Sequence, residues 1–142
     1  MKNRYKKLDD MYSEIIRRRA IKRKGGCEYC GSQKYDQPRE DGSTFPSWKT
    51  LQCSHGIGRS NIKVRFDMSN GWGLCGCCHM KLEHNPILHD EFILAELGQE
   101  EYDLLKSRAS RGYQKLDMAL IELYLKAKIE ELLNCGVEYD RH

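Results

Sequence analysis

The chain has 142 residues, a formal net charge of +3 and seven cysteines, a size that suits one domain with at most a helical appendage. The cysteine count is odd, no charged leader precedes an apolar run, and no apolar segment is long enough to cross a bilayer. These features disfavour a secreted disulfide scaffold or a membrane protein and predict a reduced, cytoplasmic one, in which paired cysteines bind metal more often than they bond to each other.

The first 24 residues carry ten basic side chains against three acidic ones, so this segment holds +7 and the remainder −4. Leu8, Met11, Tyr12, Ile15, Ile16 and Ala20 recur at helical spacing, which predicts an amphipathic helix ending before Gly25-Gly26. Arg17, Arg18, Arg19, Lys22, Arg23 and Lys24 cluster at its end, a density that points to phosphate-backbone contact, with a solvated helix face as the plainer explanation. Aromatic anchors for a membrane surface are missing.

Cys27-Glu28-Tyr29-Cys30-Gly31 has the form of a zinc knuckle, two thiolates on a tight turn. Ser32 to Ser47 reads as loop, with Pro38, Gly42 and Pro46 and no period. Trp48 to Cys53 then reads as a strand delivering His55, broken by Gly56-Ile57-Gly58, and Arg59 to Ser69 as a loop carrying Arg59, Lys63 and Arg65. Gly71 to Leu74 is a short return strand into Cys75-Gly76-Cys77-Cys78-His79, and a helix from Cys77 stops at Asn85-Pro86. Three helices follow: Ile87 to Leu97 with a left-handed cap at Gly98, Glu100 to Ala109, and Lys115 to Asn134 ending at Gly136. In the last, Leu116, Leu120, Leu123, Tyr124 and Ala127 form one stripe, widened by Ile121, Leu125 and Leu132, which suits a core helix or the seam of a homodimer.

Two Cys-x-x-Cys pairs, Cys27/Cys30 and Cys75/Cys78, supply four thiolates and so complete one structural Zn2+ site with no position open to substrate. Cys77 is an alternative ligand within the second pair, and Cys53 and Cys135 read as buried small hydrophobes. His55 suits a general base, since an imidazole with a pKa of about 6.5 can be neutral at cellular pH. His79, directly after the second pair, can bind a further cation or cap the knuckle. Asn70 can bond backbone on both sides and aim His55, or serve as a turn residue in Ser69-Asn70-Gly71. Arg59, Lys63 and Arg65 are phosphate-contact candidates in the same segment.

Cys27-x-x-Cys30, Cys53-Ser54-His55, Asn70 and Leu74-Cys75-x-x-Cys78-His79 together resemble the HNH, or His-Me finger, nuclease family. His55-Gly56-Ile57-Gly58-Arg59-Ser60, Arg65-Phe66-Asp67, Asn85-Pro86 and Leu97-Gly98 with Tyr102 and Leu105 resemble phage recombination nucleases of the NinG (Rap) type, over most of Leu8 to Ala109. The resemblance implies an α+β fold: a zinc-stapled ββα-metal core at 27–97, a basic N-terminal helix at 1–26 and a helical extension at 98–142. It also implies endonuclease action on DNA, on branched recombination intermediates in this branch, in the host bacterial cytoplasm. His55 is then the base, Asn70 orients its loop, and His79 binds a catalytic Mg2+ or Mn2+. The family commonly has an acidic or histidine ligand before the base, where this chain has Ser54, so His89 and then His84 become candidate ligands, with Asp67 another contributor. A non-cleaving, zinc-stabilised DNA-binding accessory protein is the alternative.

Overall fold

A computed structural model describes residues 3–112 and 115–135; these form five α-helices and two two-stranded antiparallel sheets, an α+β arrangement. No described helix is long and apolar enough to cross a membrane.

The first helix, α1 (Lys6–Lys24), ends on Gly25, whose φ of 74° and ψ of 5° form the left-handed cap that lets its N–H reach the Ile21 carbonyl. Leu8, Tyr12, Ile15, Ile16 and Ala20 are buried along one face, as the spacing requires, while Met11 is half-buried. Each fully buried Leu or Ile contributes about 1.5–3 kcal/mol, against about 0.2–0.5 kcal/mol for an exposed i,i+4 ion pair. Packing, rather than pairs such as Lys6–Asp10, therefore holds α1 in place.

After the knuckle a small hairpin, β1 (Gln37–Pro38) and β2 (Thr44–Phe45), interrupts the segment expected to be loop. A 3-10 turn at Ser47–Thr50 replaces the expected start of the next strand, closed by the Thr50 hydroxyl donating to the Ser47 carbonyl at 2.6 Å. The strand β3 thus spans Gln52–His55 and pairs with β4 (Gly71–Leu74), Gln52 opposite Leu74 and His55 opposite Gly71. Trp72 packs edge-on against Phe92 on one side of β4. On the other side a Cβ at Gly73 would sit 2.6 Å from that of Ala20, and one at Gly71 would sit 2.5 Å from the Tyr12 hydroxyl. The two glycines let α1 lie directly on the strand.

Helix α2 (Gly76–Glu83) follows β4 at once, starting one residue earlier than expected. Helix α3 (Pro86–Leu97) is capped by the Asn85 side chain, which accepts from the Leu88 N–H, and α4 (Gln99–Ala109) follows. Gly98 between them has φ 80° and ψ 162°, a positive φ but not the left-handed helical cap expected. Helix α5 (Met118–Cys135) starts later than the expected Lys115, and the terminating Gly136 and the Cys135 side chain lie outside the described residues.

Two apolar clusters result. One joins Ala20, Cys27, Trp72, Leu74, Cys78, Leu82, Phe92, Ile93, Tyr102 and Leu105; the other joins α1 to α5 through Leu8, Tyr12, Ile15, Ile16, Phe66 and Leu125. The stripe expected on α5 is split: Leu120, Leu123 and Tyr124 are exposed, while Leu125 is fully buried and Leu116, Ile121 and Leu132 pack around it with Ile129. Both faces are apolar, and the one that matches α1 is the one that docks.

Candidate functional site

The knuckle is pinned to the β3/β4 hairpin by Glu28, whose N–H donates to the Gly73 carbonyl at 2.9 Å and whose buried carboxylate accepts the Gly73 N–H at 3.1 Å. Burial raises the pKa of this carboxyl, opposed by the Gly73 N–H and by Arg23 and Arg19. β4 runs directly into Cys75, so the same strand sets the position of both thiolate pairs. The Sγ atoms of Cys27, Cys30, Cys75 and Cys78 all lie within 4.8 Å of one another, Cys30 and Cys75 at 3.9 Å. A tetrahedral Zn–S bond of about 2.3 Å gives an S–S edge of about 3.8 Å, so the tetrad can hold zinc. Burial raises the Cys27 thiol, but the backbone N–H groups of Cys30, Cys75 and Tyr29 outweigh it and bring its pKa down to about 7. Cys77 is exposed outside the tetrad. Cys53 is half-buried, its thiol pushed up to about 12 by burial.

Beside the tetrad opens a cavity of about 570 Å³, lined by His55, His79, His89, Glu83, Asp9, Asp10, Ser54 and Arg59 among others. His55 ends β3. Its Nε2 lies 3.0 Å from the Arg65 carbonyl, an acceptor, so Nε2 carries the proton and Nδ1 keeps its lone pair. The Tyr12 ring stacks on the imidazole at 5.1 Å and 23°. Burial lowers the His55 pKa below the ordinary 6.5, the Arg65 carbonyl opposing and Arg59 assisting.

Asn70, fully buried, accepts the Ile57 N–H at 2.7 Å and donates to the carbonyls of Ile57 at 2.9 Å and Val64 at 3.0 Å. It bonds backbone at both ends of the loop after His55, and also ends the 3-10 turn Met68–Asn70. His79, in the first turn of α2, donates from Nδ1 to the Gln52 side-chain oxygen at 2.6 Å, which leaves Nε2 with its lone pair. The His89 Nε2 is buried with no hydrogen-bond partner, and burial followed by His79 lowers its pKa. His84 is exposed and does not line this cavity. Asp67 does not line it either; its carboxylate is held by Arg108 at 2.6 Å.

The basic side chains divide. Arg59 lines the cavity and lies 3.7 Å from Asp9, Arg65 is paired with the same carboxylate at 2.6 Å, and Lys63 reaches the Ala109 carbonyl at 3.4 Å. Arg19 donates to the carbonyls of Met68 and Gly71, each at 2.9 Å; Arg17 and Arg18 stack on Trp48 at 4.7 and 4.6 Å, and Arg18 also pairs with Glu14. Arg23 pairs with Glu28 at 3.5 Å, Lys24 is exposed and Lys22 half-buried.

Sequence reasoning missed Gln52, Glu83 and Asp9. Glu83 follows His79 by one helical turn, a spacing that puts both on one face and was open to reading. Gln52 and Asp9 carry no local signal, since each matters through a residue distant in the chain. No protein family, curated protein or solved structure matches this chain, and the site stands on its own geometry.

Proposed function

We propose that this protein is a metal-dependent DNA endonuclease of the HNH type, with β3, β4 and α2 as its ββα-metal core. One observation carries the reading: His55 and His79 line one cavity, each with one ring nitrogen tied to a fixed acceptor and the other left as a lone pair. Those are the states required of a base and of a cation ligand.

His55 Nδ1 takes a proton from water as the water oxygen bonds to phosphorus; the bond to the departing sugar oxygen breaks, and that oxygen takes a proton from solvent. Asn70 keeps the loop after the base closed, and Arg59 at the cavity edge suits a phosphate oxygen. His79 Nε2 would hold the divalent cation, with His89 and Glu83 lining the same cavity; among the described residues only the cysteine tetrad has its donor atoms already converged, and an imidazole ligand suits Mn2+ better than Mg2+. When bound, the cation supplies charge neutralisation at the phosphate and the departing oxygen. Action on branched recombination intermediates belongs to the same proposal.

The test is cleavage of supercoiled plasmid and of a four-way junction with Mg2+, Mn2+ or EDTA. The wild type nicks in metal and not in EDTA, and His55→Ala abolishes nicking with zinc content and DNA binding intact. Wild-type cutting by His55→Ala removes the assignment. The second reading, a non-cleaving DNA-binding accessory, is favoured by Ser54, a nearly buried hydroxyl at the cavity where a stronger ligand would be expected. It predicts binding to both DNAs and nicking of neither.

A further inference from the structure

Besides the Tyr12 ring stacked on His55, helix α1 holds the segment around the base through three sets of hydrogen bonds. The Tyr12 hydroxyl donates to the Asp67 carbonyl at 2.6 Å, Arg19 bridges the Met68 and Gly71 carbonyls, and Asp9 grips Arg65. The first two support the fold on either side of Asn70. The third differs, because the residue it holds supplies the carbonyl that receives the His55 Nε2–H.

The grip is two-pronged: Arg65 Nε lies 2.9 Å from one Asp9 oxygen and Nη2 2.6 Å from the other, both side chains about seven-eighths buried. Nη1 donates to the Arg59 carbonyl at 3.2 Å, and the guanidinium lies over the Tyr5 ring at 5.0 Å. The loop's own backbone offers little at this point. Arg65 N–H reaches the Ile62 carbonyl at 3.4 Å, Val64 N–H the Asn61 carbonyl at 3.3 Å and Asp67 N–H the Val64 carbonyl at 3.2 Å, all at the long end of the range. Side-chain anchors must therefore fix where the Arg65 carbonyl sits: Asn70 acts on Val64, and Asp9 acts on Arg65 itself.

A neutral imidazole holds one ring proton, and a carbonyl can accept but not donate. Held at 3.0 Å, the Arg65 carbonyl keeps the proton on Nε2 and leaves Nδ1 its lone pair; released, it leaves both tautomers open. The geometry points to Asp9 as a positioning residue for the general base, acting through Arg65 to select the His55 tautomer. N-terminal helix α1 thus contributes to catalysis through a carboxylate rather than through its cations. This inference rests on the endonuclease reading for its kinetic consequence, but the tautomer itself can be observed without any substrate.

The experiment pairs 15N NMR of the imidazoles with nicking kinetics on full-length, zinc-loaded wild type, Asp9→Asn, Arg65→Lys and His55→Ala, the last serving to assign the His55 resonances. The wild type shows a single neutral tautomer for His55, protonated at Nε2. Asp9→Asn mixes the tautomers and lowers kcat by about 10–100-fold with KM within twofold, the size expected for a misdirected base. Arg65→Lys, which keeps the charge and loses the fork, falls between. An unchanged His55 tautomer and unchanged kcat in a folded Asp9→Asn overturn the inference, and if that variant does not fold, unchanged values in Arg65→Lys overturn it. Failure of the endonuclease reading looks different: the wild type does not nick, or His55→Ala nicks normally, while the NMR comparison still decides whether Asp9 sets the tautomer.

Discussion

Burial fixes the protonation state of His55 before any substrate arrives. Because the native pKa lies below 6.5, the ring is neutral at pH 7, and protonation is easier in the unfolded chain than in the fold. Two outcomes follow with the same sign. The acid limb of kcat/KM inflects below 6.5, and the His55 contribution to stability is lost as pH falls below 6.5, where the unfolded chain takes up the proton first; a kinetic limb centred at or above 6.5 contradicts the first. Asp9 works in a lower window: burial raises its pKa but Arg65, Asn3 and Arg59 together outweigh burial, so its contribution is intact above 3.8 and is lost as pH falls through the lower native value. At this scale the sequence was partly legible. The thiolate pairs could be read because metal binding restricts residue type and spacing, and the two candidates His55 and His79 come to line one cavity. The fates of Arg17, Arg18 and Arg19 could not, because they depend on where α1 crosses β4 and on where Trp48 comes to rest.

Among the elements, the contact of α1 with β4 rests on the absence of side chains. An alanine at Gly73 would meet the Ala20 Cβ at 2.6 Å and the Arg17 backbone at 3.4 Å, so Gly73→Ala should cost about 1–3 kcal/mol by overpacking. Gly112→Ala, which meets nothing within 4 Å, is the control; equal thermal melts for the two would refute the close approach. On α5, Leu125→Ala should cost about 2–5 kcal/mol and Leu120→Ala less than about 0.5 kcal/mol, measured by urea titration. The sequence placed all five helices nearly correctly, but on α5 it centred the buried stripe on Leu120, Leu123 and Tyr124, which are exposed, and gave only its edge to Ile121, Leu125 and Leu132, which pack inward. A helix with two apolar faces gives periodicity no means of choosing, and the choice is made by Ile15, Ile16 and Phe66 across the gap.

For the whole molecule, a metal held by the tetrad would bear on the two clusters unequally. Cys27 and Cys78 belong to the cluster formed with α2, α3 and α4, while the cluster between α1 and α5 contains no zinc ligand. Chelation should therefore release the first and lower the melting temperature sharply; a cooperative melt unchanged after zinc loss, verified by metal analysis, would contradict the tetrad. The pairing of distant cysteines was legible from spacing, whereas the split of the core was not, since it arises from α1 serving both halves.

Glu28 ties the knuckle to β4, but the larger consequence of the tetrad is topological. Cys30 and Cys75 are 45 positions apart, so a zinc ion joining them turns the intervening chain into a ring that contains His55 and Asn70, with His79 just outside the clasp. Closing a loop of that length with a covalent bridge removes roughly 4 kcal/mol of freedom from the unfolded chain. A ring also survives one cut. If a protease opens the exposed hairpin tip at Asp41-Gly42, zinc would still join the halves, through Cys27 and Cys30 on one side and Cys75 and Cys78 on the other, in addition to the packing of α1 on β4 and α5.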